Sequence, residues 1–441
     1  MAGTNEKLDI LFKNITVLTM NPDSGGPLLK NACVGVKEGV IACISAENAA
    51  PPAARIIDGA RKVLMPGLYN CHTHVPMSLL RGLGNDLNLE DWLFNHIFPA
   101  EKKLTADIVY TGALLSIAEM IASGTVAFTD MYFYMDSIAR AAYESGVKAN
   151  LSNAVIAFDK DTYDFYQDKV YTETLNVLRD YHNAAGGRIK AEASIHGVYT
   201  SYAPAWAQVL AFAHEKKTAL HVHLSETKTE HENCIKAYGL TPAQVFEKHN
   251  FFGLKTTAAH CVWATDGDID ILARHGVSAA HCPVSNLKLA SGVAPIVNML
   301  KKGVNVTLGT DGMASNNSHD LFEEIKLASI LQKYASNDPT ALPAMETLKL
   351  ATVNGAKAQG RENESGMIKT GFDADIIMLD FDTPRQSACY DEALNLAYSV
   401  TGRDVVMTLC KGKILYENGE YTTIDIEKLL HEARKVSSFV K

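Results

Sequence analysis

The sequence predicts an α/β chain: a (β/α)8 TIM barrel with a small β-sandwich domain formed from both chain termini. Three observations lead there. Both ends read as short β-runs broken by turns, the middle alternates apolar strand-like runs with helix-period segments, and polar residues gather at the C-terminal ends of those middle runs. With 441 residues, 47% hydrophobic and 21% charged, the chain has ample core material, which excludes a disordered or fibrous protein.

The first 65 residues contain LDILFKNITVLTM, a PDSGG turn, and NACVGVKEGVIACISA, in which KEG separates two alternating runs. The last 70 or so return to that texture, with DADIIMLDF and then VVMTLCKGKILYENGEY, where KGK and ENGE are hairpin signals. Neither end has enough strands to bury a face alone, so residues 1–65 and 361–441 are expected to form one composite β-sandwich. Residues 66–360 are expected to form the barrel. Its strands are read at 64–74, 125–131, 149–156, 188–196, 219–226, 256–261, 277–283 and 304–311, with amphipathic stretches at 105–123, 136–146, 168–184, 203–216, 228–249, 266–275 and 294–302.

A balance of 41 Lys+Arg against 50 Asp+Glu, net −9, offers no general attraction for nucleic acid or anionic lipid, so the expected partner is a small molecule. The eight cysteines are scattered and form no C-x-x-C pair, as expected of reduced thiols. The N-terminus lacks a cationic segment followed by a long apolar run, and no 18-residue apolar stretch occurs, so a cytoplasmic enzyme without membrane contact is expected.

Barrel strands are buried and should be apolar, so a histidine or carboxylate at a strand's C-terminal end needs a reason. This chain has His72 and His74 at the first strand, His196 at the fourth, His223 and Glu226 at the fifth, His260 at the sixth, His281 at the seventh and Asp311 at the eighth. In a closed barrel those ends share one mouth, where residues far apart in sequence come within reach of one ion. The H-x-H spacing of His72 and His74 puts both imidazoles on one face of a strand. Taken alone that pair is weak, because His221 and His223 repeat it and a hydrogen-bonded core histidine explains either.

Context separates the two. The run MPGLYNCHTHVPMSLLRG (65–82) resembles the first-strand signature of the amidohydrolase superfamily, and LSET (224–227), the lone His260 and LGTDGMASNN (308–317) match its later motifs in order. Within that superfamily the chain is most similar to the 5′-methylthioadenosine/S-adenosylhomocysteine deaminases, through residues 79–105, FEEIKLASILQK (322–333) and ATVNGAKA (351–358). The resemblance implies hydrolytic deamination of an adenine nucleoside to the inosine analogue plus ammonia. It implies one divalent metal held by His72, His74, His223 and Asp311; three imidazoles and a carboxylate suit Zn2+, and Fe2+ or Mn2+ accept such mixed donors. Lys190 lies too early in its strand to bridge two metals, so a mononuclear site is expected, with zinc-bound water acidified to a pKa near 7.

By the same resemblance Glu226 shuttles a proton to N1 of the purine, Asp311 takes the proton of the attacking water, and His260 orients the nucleophile. Read without the motif, Glu226 could be a helix N-cap partner and Asp311 a turn residue. Substrate contacts are expected from Glu101 to the ribose hydroxyls, from His196, and from Trp92 on the nucleoside or thioether side. Read plainly, Glu101 is a solvated carboxylate beside Lys102 and Lys103, and Trp92 a core aromatic; His221 and His281 are read as supporting residues. The chain departs from expectation in residues 151–169, which hold Lys160 and Lys169 but no arginine for the carboxylate of S-adenosylhomocysteine. That ranks 5′-methylthioadenosine, adenosine and 5′-deoxyadenosine above it. The alternatives are a deaminase of another purine or of a pterin, an aromatic chlorohydrolase on the same scaffold and, more remotely, an inactive structural homologue. A homo-oligomer is a family-level expectation.

Overall fold

A computed structural model of the chain describes residues 7–24, 26–46, 51–84, 86–87, 91–159 and 162–440. The expected barrel strands occupy successive positions Leu68–His74, Thr125–Met131, Lys148–Ser152 with Ala154–Val155, Ile189–Ala191 with Ala193–Ile195, Leu220–Leu224, Thr256–His260, Ser278–His281, and Asn305–Leu308 with Asp311–Gly312. All pair in parallel. This is a mixed α/β fold of TIM-barrel type.

Its ladders form two open sheets of five and six strands rather than one closed ring. The third, fourth and eighth strand positions are each broken, and their two halves lie in different sheets. The breaks fall at Asn153, Glu192 and Gly309–Thr310. A Cβ on Gly309 would lie 2.8 Å from His72 Cβ and 2.9 Å from the His72 nitrogen, so only glycine lets the eighth strand pass this close to the first.

Period-two alternation sorts the fifth strand. Leu220, Val222 and Leu224 are buried in the outer core with helix residues Val209, Phe212, Phe246 and Ile269, which leaves His221 and His223 for the opposite, inner face. Each fully buried aliphatic or Phe side chain there contributes about 1.5–3 kcal/mol. The helices follow the expected segments closely, as in Ala106–Ala122, Met135–Ser145 and Ala203–Lys216. The stretch expected as one helix over 228–249 is two, Lys228–Tyr238 and Pro242–Lys248, because Gly239 takes φ +67° and Thr241 caps a new start ahead of Pro242.

The two termini meet in one nine-stranded sheet, with Lys62–Pro66 antiparallel to Ile376–Asp380. Hydrogen bonding runs from Val40–Ala46 through to Glu420–Tyr421 without interruption, so the pairing defines one continuous sheet shared by both termini. Its hairpins turn at Glu38–Gly39, Lys411–Gly412 and Asn418–Gly419, each with positive φ at both residues, as type I′ turns require. A parallel strand, Ala53–Asp58, and a terminal helix, Ile426–Val440, were not expected.

The terminal sheet is tied to the barrel by buried charge. Lys148, 1% exposed, reaches Asp373 at 2.7 Å and Asp375 at 2.5 Å. The Lys411 amide also donates to Asp375 at 2.8 Å, and Ser365, which accepts from Tyr69, donates to it too. Cys43, Cys71, Cys234, Cys261, Cys282, Cys389 and Cys410 are free thiols. No single helix among the described residues is long and apolar enough to cross a membrane.

Candidate metal centre and active site

At the C-terminal ends of the barrel strands, His72, His74 and Asp311 bring ligand atoms within 4.8 Å of one another, and His72, His223 and His260 do the same. Asp311 Oδ1 lies 3.5 Å from His72 Nε2 and 3.2 Å from His74 Nε2. The four imidazoles are steered from behind. His74 Nδ1 meets the Met131 carbonyl at 2.7 Å, His223 Nδ1 the His196 carbonyl at 2.7 Å, His260 Nδ1 the Asn286 amide oxygen at 2.9 Å and His72 Nδ1 the His221 Nε2 at 3.0 Å. An oxygen acceptor at Nδ1 leaves the Nε2 lone pair of His74, His223 and His260 free for a ligand role, the arrangement typical of metal-bound histidine. His72 Nε2 is buried and has no hydrogen-bond partner, an omission a cation would repair. The donor set therefore fits a divalent metal.

The eighth strand delivers Asp311 through Asn70. Its side chain accepts from the Thr310 amide at 3.0 Å and donates to the Thr310 hydroxyl at 2.8 Å, so the first-strand motif fixes both the histidines and the aspartate opposite. Ser285 and Ser315 donate to Asp311 Oδ2 at 2.6 and 2.9 Å, which leaves Oδ1 turned to the histidines. Burial raises the Asp311 pKa, but the adjacent His72, His74 and His260 imidazoles outweigh it and hold the carboxyl well below its usual value. Ser225, His260 and Asp311 take φ of +47°, +71° and +62°. Such left-handed residues cost on the order of 1–3 kcal/mol each, and here they cluster where side chains turn into the site.

Glu226 Oε2 stands 3.9 Å from His260 Nε2, and burial, partly countered by His260, raises its pKa. The loop that carries it is held by Glu230, whose carboxylate accepts from the Ser225 and Glu226 amides at 3.2 and 2.7 Å. The N-cap of the following helix is Thr227, so Glu226 is free of the capping role that the sequence also allowed. His196 packs beside His223 with ring centroids 4.6 Å apart.

His74, His196, His223, Glu226, His260 and Asp311 line one cleft. Glu101 and Trp92 both line it. Glu101 accepts from Tyr132 at 2.7 Å, and burial, opposed by that bond, raises its pKa to about 7, unlike a solvated surface glutamate. Trp92 donates to the Leu83 carbonyl at 3.2 Å and is 6% exposed, a core aromatic whose edge reaches the cleft. Lys169 is engaged by Glu173 at 3.1 Å and by the Tyr134 ring, and Lys160 lies outside the described residues. His221 stands behind His72 as expected. His281 is buried with neither ring nitrogen bonded and is not among the cleft residues.

Sequence reading missed Ser285, Asn286, Ser315, Tyr132 and Glu230. Only Glu230 had a usable signal, the T-x-x-E capping pattern from Thr227, a pattern that predicts a reach back to backbone amides.

A mouth of inward histidines and a carboxylate on a TIM-barrel-type scaffold defines a metal-dependent hydrolase type of site. The amidohydrolase family model matches residues 63–415, and the chain belongs to that family. It is 46% identical to the 5'-deoxyadenosine deaminase of Methanosarcina acetivorans over 97% of both chains. It is 42% identical to the 5-methylthioadenosine/S-adenosylhomocysteine deaminase of Acetivibrio thermocellus over 98% of this chain and 100% of the other. Among solved structures it superposes on an adenosine deaminase from Xanthomonas campestris with bound zinc, at TM-score 0.93 and 31% identity over 99% of both chains. An atrazine chlorohydrolase from Arthrobacter aurescens shares the fold at TM-score 0.88, with 23% identity over 97% of this chain and 100% of that one.

Proposed function

We propose that this chain hydrolytically deaminates adenine nucleosides at C6 with one zinc ion held by His72, His74, His223 and Asp311. What supports the reading is that His72 shares one close group of ligand atoms with His74 and Asp311 and another with His223 and His260, with a buried, raised-pKa carboxyl, Glu226, beside His260. Zinc in such a site lowers the pKa of water to about 7 and so supplies a nucleophile at neutral pH. Asp311 accepts a proton from the water whose oxygen adds to C6, and Glu226 gives its proton to N1, which makes C6 electrophilic. Asp311 then hands its proton to the exocyclic nitrogen, the C6–N bond breaks, and ammonia leaves. The hydroxyl proton lost as the C6 carbonyl forms restores Glu226. His260 orients the attacking oxygen, Glu101 receives the ribose hydroxyls, and His196 and Trp92 border the nucleoside.

The two open sheets are taken to act as one closed barrel spanning 66–360, with 1–65 and 361–441 as the companion domain. Apolar residues on the cleft wall, among them Met77, Leu93 and Leu289, support 5′-deoxyadenosine, 5′-methylthioadenosine and adenosine over S-adenosylhomocysteine. The test is ammonia and chloride release from these four nucleosides, guanine and a chlorotriazine. Ammonia from the adenine nucleosides is expected. Ammonia from guanine alone, or chloride from the triazine, would replace this reading with another hydrolase on the same scaffold.

A further inference from the structure

The barrel has a second face, where its strands begin, opposite the strand ends that carry the cleft histidines. A pocket opens there between Lys190 in the fourth strand, Lys217 and Thr218 just ahead of the fifth, and Lys255 just ahead of the sixth. Its wall holds those three lysines and two histidines, His182 and His214, against one carboxyl, Glu192, in a chain whose net charge is −9. Such a local reversal of sign concentrates anions.

Lys190 and Lys255 converge over Gly360. A Cβ on that glycine would lie 3.7 Å from Lys190 Nζ and 3.6 Å from Lys255 Nζ, so glycine leaves open the space between two ammonium groups. Neither ammonium is fully used. Lys190 donates to the Gly360 carbonyl at 2.8 Å and to the Gln359 carbonyl at 3.5 Å, which leaves one of its three protons, and Lys255 meets Glu362 only at 3.4 Å. Lys217 forms no ion pair among the described residues. His182 Nδ1 accepts from the Ala191 amide at 3.0 Å, so the neutral ring carries its proton on Nε2. The Thr218 hydroxyl is buried, with the residue 4% exposed, and has no hydrogen-bond partner in the protein. Glu192 opposes an anion only weakly, because burial, countered by its bond from Asn150, raises its pKa to about 7. Burial and then Arg361 lower the Lys190 pKa to about 8, a cost that an anion beside it would offset.

We infer that this pocket binds a phosphate group, with Lys190, Lys217 and Lys255 supplying charge and His182 and Thr218 supplying N–H and O–H donors. Several point charges around one gap suit a tetrahedral dianion. A planar carboxylate is matched instead by a guanidinium fork, and the fork nearby, Arg361, is engaged by the Gly187 and Arg188 carbonyls and Asn150. The pocket lies on the face opposite the cleft, so it stands or falls independently of the deaminase reading.

The test titrates orthophosphate, AMP and acetate into the zinc-loaded full chain by calorimetry, at an ionic strength held constant with NaCl. One orthophosphate per chain is expected, with a Kd on the order of 1 mM. The double variant Lys217→Ala/Lys255→Ala changes two exposed side chains and should weaken binding by on the order of 10-fold, and Thr218→Val, which replaces the hydroxyl by a methyl, by about 3- to 10-fold. AMP bound no tighter than orthophosphate makes the free ion the occupant, whereas AMP bound about 10-fold tighter, with that gain lost in the double variant, makes it a nucleotide. No saturable orthophosphate binding up to ~50 mM overturns the site. Binding that both variants leave unchanged does so too, since phosphate on the zinc of the cleft would behave that way, and so does acetate bound as tightly as phosphate.

Discussion

Glu226→Gln should lower kcat on 5′-deoxyadenosine by ~10^2- to 10^4-fold while the bound metal stays constant. The carboxyl sits in the cleft near His260 but outside the proposed donor set, and glutamine is close to it in size. What glutamine cannot do is give a proton to N1 and take one back. Without that proton C6 is a poor electrophile, and because protonation matters in the transition state the loss should fall on kcat and not on KM. Elemental analysis beside steady-state rates checks this. A variant within ten-fold of wild type would remove Glu226 from the proton path.

Lys148→Met should cost about 3–5 kcal/mol of stability, because it leaves the buried carboxylate of Asp375 without its cation, while Asp373 keeps Lys411 at 3.0 Å. The pH dependence gives the prediction a sign. Burial raises the Asp375 pKa, but Lys148 overcomes it and holds the carboxyl below its ordinary value. A depressed folded-state pKa contributes stability above the unfolded value, about 3.9, and loses it as pH falls. In the variant burial is opposed only by the bonds from Ser365 and the Lys411 amide, so the folded-state pKa rises from its depressed value and less stability is gained as pH rises. The gap in Tm between the two proteins should therefore be widest near neutrality and close toward pH 4. Adding Asp375→Asn to Lys148→Met should recover part of the loss. An equal gap at pH 7 and pH 4 would contradict the account.

The site was legible for a definite reason. A strand that must be apolar on a buried scaffold makes each terminal histidine conspicuous, and one barrel mouth gathers all of them; His72, His74, His223, His260 and Asp311 do converge. The supporting layer was not legible, because Ser285, Ser315 and Asn286 look like ordinary loop polar residues until the fold sets them against Asp311 and His260. The strand breaks were hidden for a similar reason. Asn153 and Glu192 interrupt the ladder without interrupting the apolar runs around them, so 149–156 and 188–196 read as single strands. At the termini the hairpins announced themselves through KEG, KGK and ENGE, whereas the pairing of Ile377 with Met65, more than 300 residues apart, left no local trace. Lys148 was equally silent: nothing near it in sequence names Asp373 and Asp375 as its partners.

The most direct test of the convergence is to measure metal per chain and ammonia from 5′-deoxyadenosine in the same preparations of wild type and His223→Ala. The account predicts about one zinc per wild-type chain, rates that vanish on chelation and return with zinc, and loss of both metal and activity in the variant while the fold is retained. Undiminished deamination by metal-stripped protein, or a His223→Ala variant that keeps its metal and its rate, would contradict it.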